Sequence, residues 1–526
     1  MNKVNLKIES LNDIVRILKA NIPLFLIITF IVIVSFISSI NGEFVSDDLP
    51  GLVRLPLTQD LNASFATLDP QRIIYGLTFA IFGLKPAPFH SVSIILHIIN
   101  VILFFLITYN IYGKKIAAFA APMYAVHPVV SETVIWISAL NYQISTLYLY
   151  ICIILFLLYK KTSQNKWLIA MYITFAIMSF TFSNYWVLII PFFIAGLDFF
   201  ILERNYKLKP LLKSLPLLLV GLAAFLLIRG GSAVTDRVDR LNTPDATPYI
   251  NRIPYSIYHA TELFLYPKNL TIYHEGVILT DQMYAFMIAV SAVVVFSTFI
   301  LWQKKKTRLI GGMIILIFIS LLPVFSPILV AWMVAERYMY VGTGIFVTLV
   351  AMFFIFLGKK FKIKELALIL TSLLIIIYSG RTIARAQEWK TRKSLWLSAE
   401  KRGPYSARAH NNLGDVYGIE KNWEKSIFHF KRAIEIKPDY SEAMHNLANT
   451  LMQLGYIEEA KVIFTQSIQV NPDLFQSYHK LGLLEYELGN PELAMQYFIR
   501  TLEIEPGYAP AVQSIQALQT LQQRNQ

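Results

Sequence analysis

A long apolar stretch with an abrupt acidic end sets the reading of this chain. Residues 23–40 carry almost only apolar side chains, and Glu43-Phe44-Val45-Ser46-Asp47-Asp48 follows at once. Comparable apolar runs recur near 22–40, 89–109, 115–131, 140–159, 166–183, 186–202, 211–228, 282–302, 308–324, 338–357 and 364–379. Each is close to the length that crosses a bilayer as a helix, so the pattern predicts about eleven spans. Residues 72–82 are apolar but too short to span, and 253–266 would break the charge alternation described below; both are expected as interfacial helices. Residues 1–19 mix Lys3, Lys7, Arg16 and Lys19 with apolar positions, which predicts an amphipathic cytoplasmic segment over 1–21.

After Gly380 the pattern changes. Pro404, Pro438, Pro472 and Pro506 recur every 34 residues, and Trp396, Phe430, Phe464 and Phe498 stand eight positions before them. Gly414, Ala448 and Gly482, each preceded by Leu, lie 24 before the last three prolines. This is the spacing of the tetratricopeptide repeat, two helices per unit. The small residue admits close helix packing, the aromatic fills the gap, and the proline stops the second helix. Three full repeats are expected over about 407–508, a half repeat around Trp396 and Ala399, and a polar capping helix over about 509–526. The whole is therefore an all-α chain: a polytopic membrane bundle over 22–380, with outer loops 41–88 and 229–281, then an α-solenoid over 381–526.

Composition agrees. Of 526 residues, 55% are hydrophobic, and the mean hydropathy is +0.51, too apolar for an ordinary soluble protein. The net charge of +13 is uneven: from Pro404 onward 10 Lys and Arg face 14 Asp and Glu, so the preceding part carries +17. A basic membrane part with an acidic tail points away from nucleic acid and toward topology-setting cations. Lysines and arginines cluster after the second, fourth, sixth, eighth and tenth runs, whereas the turns near 131–140 and 183–185 have none. The positive-inside rule then places the N-terminus in the cytoplasm and the repeats outside it, in a multi-pass protein of the cell's inner or plasma membrane. The first run is long enough to span and stay, so no cleavable signal is expected. Cys152 is the only cysteine, which excludes an intrachain disulfide.

Carboxylates are costly near hydrocarbon and are usually kept there for a purpose. Asp47 and Asp48, at the exit of the first span, are the candidate catalytic pair. Other polar groups fall at the outer ends of spans: His90, His127-Pro128 with Glu132 and Trp136, Glu336-Arg337-Tyr338, Arg229, and Arg72 at the start of the short helix. Such a gathering at one face, rather than at the midplane, suits a lipid-linked substrate better than a transporter. Arg337, Arg72 and His127 are candidates for a phosphate, with Arg337 first because a guanidinium fork fits phosphate. His90, Glu132, Glu336 and Tyr338 are supporting candidates. His97 and Asn100 sit inside a span, where linking helices by hydrogen bonds is the commoner role.

In this arrangement the chain resembles the transmembrane and tetratricopeptide-repeat-containing O-mannosyltransferases and their prokaryotic relatives, which have the GT-C fold. The matching pieces are Phe44-Val45-Ser46-Asp47-Asp48, Phe89-His90 with Leu96-His97-Ile98-Ile99-Asn100, Val126-His127-Pro128 with Glu132 and Trp136-Ile137-Ser138, Leu265-Tyr266-Pro267-Lys268-Asn269-Leu270, and Ala335-Glu336-Arg337-Tyr338-Met339-Tyr340. The resemblance implies a polyprenyl-phosphate sugar donor, an acceptor on the outer side, Asp47 as the catalytic acid-base group, Asp48 as its partner and Arg337 as a candidate for the donor phosphate. The chain departs from the family's pattern at Asn141-Tyr142 and Ser183-Asn184-Tyr185, where relatives often carry charge.

The expected chemistry is transfer of the sugar to an acceptor hydroxyl, most simply Ser or Thr of a protein. An aspartate takes the hydroxyl proton, cationic groups stabilise the departing phosphate, and a single displacement inverts the anomeric carbon. A divalent Mg or Mn on Asp47 and Asp48 is compatible with hard oxygen ligands, and the residues leave it open. Partners are then the lipid-linked donor, a protein or glycan acceptor presented by the repeats, and membrane lipids. Two other readings stand beside this one: a membrane-anchored repeat scaffold without catalysis, and a glycan polymerase or ligase using a lipid-linked donor.

Overall fold

The computed structural model describes residues 4–182, 186–203, 213–227, 249–325 and 332–524. Among them the regular structure is helical throughout, with no strand. The expectations on Ser183-Asn184-Tyr185, on Arg229 and on the first part of the loop, 229–248, lie outside the described residues.

Among the described residues each of the eleven apolar runs is helical over most of its length, but they are not alike. Among the described residues six helices are long and apolar enough to cross a bilayer: Ile22–Ile40, Pro86–Tyr112, Ile137–Thr162, Asp281–Gln303, Glu336–Lys360 and Leu366–Glu388. The others are shorter, and prolines or changes of helix type account for most of the difference. Lys114–Val126 ends because His127 precedes Pro128 and adopts extended backbone, φ −61° and ψ 128°. Trp186–Gly196 contains Pro191 and continues as a π-helix over Leu197–Glu203. Arg308–Ser320 gives way to a 3-10 turn at Leu322–Phe325. Asn165–Thr181 and Leu215–Leu227 complete the set. The long helices keep large apolar side chains outward, among them Leu26 at 65%, Phe30 at 66% and Ile376 at 69% exposure. An aqueous surface would not hold such a belt, whereas lipid would.

The chain forms two compact units, 1–274 with 279–392, and 275–278 with 393–526. In the first, the short apolar piece is a helix, Pro70–Phe82, capped by the Asp69 carboxylate, which accepts from Gln71 N at 2.8 Å. The other is Tyr249–Leu265. Near the N-terminus, Leu11–Ala20 starts in a Ser10–Asp13 capping box. The chain before it is pinned by Asn110 Oδ1, which accepts from Lys7 N at 2.7 Å and Ile8 N at 3.0 Å.

In the second unit, Arg392–Arg402 leads into three helix pairs and the closing helix Ala509–Arg524. The pairs are Ala407–Ile419 with Trp423–Ile436, Ser441–Gln453 with Ile457–Val470, and Phe475–Glu487 with Pro491–Ile504. The expected small-against-aromatic packing is realised. A Cβ on Gly414 would stand 2.6 Å from the Phe430 ring, and one on Gly482 would stand 2.5 Å from that of Phe498. Phe430, Leu447, Ala448, Phe464 and Leu481 are buried in one continuous core. Lys421, Gly455 and Gly489, again 34 apart, take left-handed backbone at the turn within each pair.

Candidate active site

The two aspartates after the helix Ile22–Ile40 have opposite surroundings. Ser46, just before them, takes left-handed backbone at φ 52°, a conformation that costs a non-glycine residue and is often kept at functional sites. The turn leaves Asp47 exposed and Asp48 fully buried. Asp48 Oδ1 accepts from Ser138 N at 2.8 Å and from Ser138 Oγ, and its Oδ2 accepts from Val45 N at 3.1 Å. Burial nevertheless pushes the Asp48 carboxyl up to about 7, with these hydrogen bonds opposing the shift. Asp48 is thus a fastener, and Asp47 is the carboxylate turned outward. Both oxygens of Asp48 are already engaged, so a hard divalent cation at this pair would draw on Asp47.

The segment that receives Asp48 organises the rest. Tyr75 Oη donates to Ile137 O at 2.7 Å, and Gln71 Nε2 donates to Tyr75 Oη at 2.7 Å and to Ser138 O at 3.3 Å. The helix Pro70–Phe82 is therefore tied to the same backbone as the aspartate loop. Arg72 rides on that helix with an exposed side chain. Ser93 Oγ donates to Val134 O at 2.7 Å, and Thr382 Oγ1 to Val126 O at 2.9 Å. The Trp136 and Trp389 rings lie 5.9 Å apart. His90 is buried below the loop: a Cβ on Gly42 would come within 3.4 Å of its Nε2.

The structure gives Arg337 a different occupation from the one its sequence context suggests. It is buried, and its Nη1 is bonded to Glu132 Oε1, while its backbone N donates to Glu132 Oε2 at 3.0 Å. Its guanidinium also faces the Trp136 and Tyr338 rings at 5.2 and 5.1 Å. Glu132 is fully buried, so this pair satisfies two charges that would otherwise be stranded. Glu336 is likewise spent on Arg385 at 3.1 Å, and Arg385 also meets Glu388 at 2.6 Å. His127 is enclosed: its Nδ1 accepts from Val129 N at 3.3 Å, Nε2 points at Phe264 O at 3.4 Å, and Tyr378 stacks edge-on at 4.5 Å. Of the three phosphate candidates, only Arg72 presents an exposed cation.

His97 and Asn100 do link helices. His97 Nδ1 meets Tyr340 Oη at 2.6 Å and Nε2 meets Ala125 O at 3.0 Å, and Asn100 Nδ2 donates to Gln143 O at 3.0 Å. Tyr142 packs on Tyr338 at 6.0 Å. Sequence reasoning missed Ser138, Tyr75, Gln71 and Arg385. Ser138 stood inside a quoted motif without a role. Arg385 fell beyond the expected end of the last span because Leu366–Glu388 runs further than its apolar stretch.

The chain is similar to known proteins in two separate parts. Residues 72–229 match the family described as dolichyl-phosphate-mannose-protein mannosyltransferase, and 407–440, 441–474 and 475–508 each match a tetratricopeptide repeat. The chain is similar to the protein O-mannosyl-transferases. A relative of that name from Caenorhabditis elegans, F38B6.6, is 24% identical over 79% of this chain and 63% of its own length. The mouse protein O-mannosyl-transferase TMTC3 is 30% identical over 34% of this chain and 20% of its own. The matched region is thus under two thirds of either relative's length. Among solved structures, the Arabidopsis OM64 TPR domain is 19% identical and covers 22% of this chain and 94% of its own, with a TM-score of 0.21. This O-mannosyltransferase-like chain thus joins a segment similar to the mannosyltransferase family to tetratricopeptide repeats, and its apolar helices are those of a multi-pass membrane protein.

Proposed function

We propose that the chain is an integral-membrane glycosyltransferase that moves a sugar, mannose in the first instance, from a polyprenyl-phosphate donor to a Ser or Thr hydroxyl of a protein on the extracytoplasmic face. The observation that carries this is Asp47: an outward carboxylate on a strained turn whose neighbour is buried and bonded to Ser138. Asp47 takes the acceptor proton as the hydroxyl attacks the anomeric carbon. The carbon–phosphate-oxygen bond breaks in the same displacement, and polyprenyl phosphate leaves with its negative charge. Arg72, fixed through Gln71 and Tyr75 to the backbone that holds Asp48, is the cation offered to that phosphate. Glu132–Arg337 and Glu336–Arg385 hold the scaffold. The charge alternation of the loops supports the extracytoplasmic placement, and the repeats are the surface that receives the acceptor protein.

The test is transfer of labelled mannose from a synthetic polyprenyl-phosphate donor to a Ser/Thr-containing protein acceptor by the purified full chain. Transfer that is inverting and lost in Asp47→Asn is expected. Undiminished transfer by that variant, or none by the wild type with any polyprenyl-phosphate sugar, would remove the proposal.

A further inference from the structure

Three side chains at the entrance of the repeat unit converge on one point. Glu400 comes from Arg392–Arg402, His410 from Ala407–Ile419 and His429 from Trp423–Ile436. The two imidazoles are buried and face each other, Nδ1 to Nδ1, at 3.0 Å. Glu400 Oε1 lies 3.7 Å from the first of these nitrogens and 3.9 Å from the second. The donor atoms of this trio all lie within 4.8 Å of one another, and no other such group occurs among the described residues.

The Pro404 carbonyl fixes a proton on His410. His410 Nε2 stands 3.1 Å from the carbonyl oxygen of Pro404. A carbonyl only accepts, so Nε2 carries the hydrogen and the neutral ring keeps a bare lone pair on Nδ1, aimed at the meeting point. An imidazole held by a carbonyl on one nitrogen and free to ligate with the other is the usual disposition of a metal-binding histidine. A hydrogen bond from His429 Nδ1 to His410 Nδ1 would account for the 3.0 Å separation, but not for a carboxylate aimed at both nitrogens from beyond hydrogen-bond range. Tyr417 stacks on His429 with ring centroids 5.3 Å apart and an interplanar angle of 12°, which fixes that ring. Lys393 and Lys425 lie over the Tyr417 ring at 5.0 and 5.3 Å, and Lys393 is further engaged by Glu420 at 2.7 Å.

We propose that Glu400, His410 and His429 bind a divalent transition-metal ion, zinc, that clips the leading half repeat to the first full repeat. Two imidazoles and one carboxylate suit zinc, whereas Mg and Ca call for oxygen ligands. Zn–N and Zn–O bonds of about 2.0–2.2 Å in a tetrahedron separate ligand atoms by roughly 3.3–3.6 Å. The observed 3.0, 3.7 and 3.9 Å bracket that range, so small side-chain adjustments suffice. Glu400 is partly exposed, which leaves a fourth position for water and an entry path. The ion joins three successive helices at the end of the array, where no earlier repeat covers the first one. The inference is independent of the transferase reading.

The test uses the full chain, without an affinity tag, purified in detergent micelles and stripped with a chelator. One zinc per chain after exchange and desalting is expected, with thermal unfolding of the repeat unit raised by about 5–10 °C at a hundredfold excess over Kd. Magnesium should give no shift. Glu400→Gln, whose site is partly exposed and so leaves the fold intact, should weaken zinc binding at least tenfold, and His429→Gln further. A wild type that holds no zinc at micromolar concentrations, or variants that hold as much as the wild type, would overturn the proposal.

Discussion

Asp48 and Ser138 stand 90 residues apart and share two hydrogen bonds, from the Ser138 amide and from its hydroxyl to one carboxylate oxygen. On the proposed function, this fastening decides which of the two aspartates can meet a substrate. It also carries a pH signature. An acid whose folded pKa is raised binds more protons folded than unfolded, so its contribution to stability falls as pH rises between the two values. With Asp48 at about 7 when folded and near 4 when unfolded, the window is about pH 4–7. The thermal midpoint of the wild type, taken relative to Asp48→Asn, should therefore decline across that window and level off above it. A difference that stays flat or climbs with pH would contradict the burial of this group. Ser138→Ala should cost about 1–2 kcal/mol, because one buried acceptor loses a donor.

Asp47 should behave otherwise. It is exposed and makes no packing contribution, so Asp47→Asn should unfold at the wild-type temperature. On the proposed mechanism, sugar transfer should fall by about 10²–10⁴, the usual cost of losing a general base. Arg72→Ala should mainly raise the KM for the lipid donor. Equal kcat and KM in both variants would detach these groups from the reaction.

The Glu132–Arg337 pair should show strong coupling. Removing one member of a buried pair strands the other charge, at about 3–5 kcal/mol. Glu132→Gln and Arg337→Met should each destabilise on that scale, and the double variant by clearly less than their sum. Additive losses in a thermal or denaturant series would mean the two charges are not partners.

Gly414 and Gly482 face phenylalanine rings at distances no Cβ tolerates. Gly414→Ala and Gly482→Ala should each destabilise the repeats by about 1–3 kcal/mol through overpacking. Pairing Gly414→Ala with Phe430→Leu should recover part of that loss. Circular dichroism melts of the single and paired variants would read this out; no loss in either single variant would refute the contact.

Orientation is also open to measurement. On the proposed orientation the repeats lie outside the cytoplasm, so a reporter that works only in the cytoplasm should be silent when fused after Gln526. An active reporter would reverse the placement of the aspartate loop as well.

Much was legible without a structure because it is written locally. A run such as 22–40 is apolar on every side, and any helix it forms must face apolar surroundings; it became Ile22–Ile40. The 34-residue period of Pro, aromatic and small residue encodes one helix pair packing on the next, so each repeat could be bounded from its own residues. His127-Pro128 marked a helix end for the local steric reason that the residue before proline resists helical backbone. The aspartate pair stood out because acids at a membrane exit are expensive.

What the tertiary structure alone decided is which polar group meets which. Asp47 and Asp48 are neighbours of identical chemistry, and only the left-handed turn at Ser46 and the arrival of Ser138 turn one outward and bury the other. Arg337 reads as a phosphate clamp until Glu132, 205 residues away, neutralises it. His410 and His429 are unremarked positions of a repeat until helix packing brings their nitrogens face to face beside Glu400. The physical reason is common to all three. Helix and repeat formation follow from short-range periodicity, whereas the state of a charged side chain depends on partners and burial that arise only when distant segments pack.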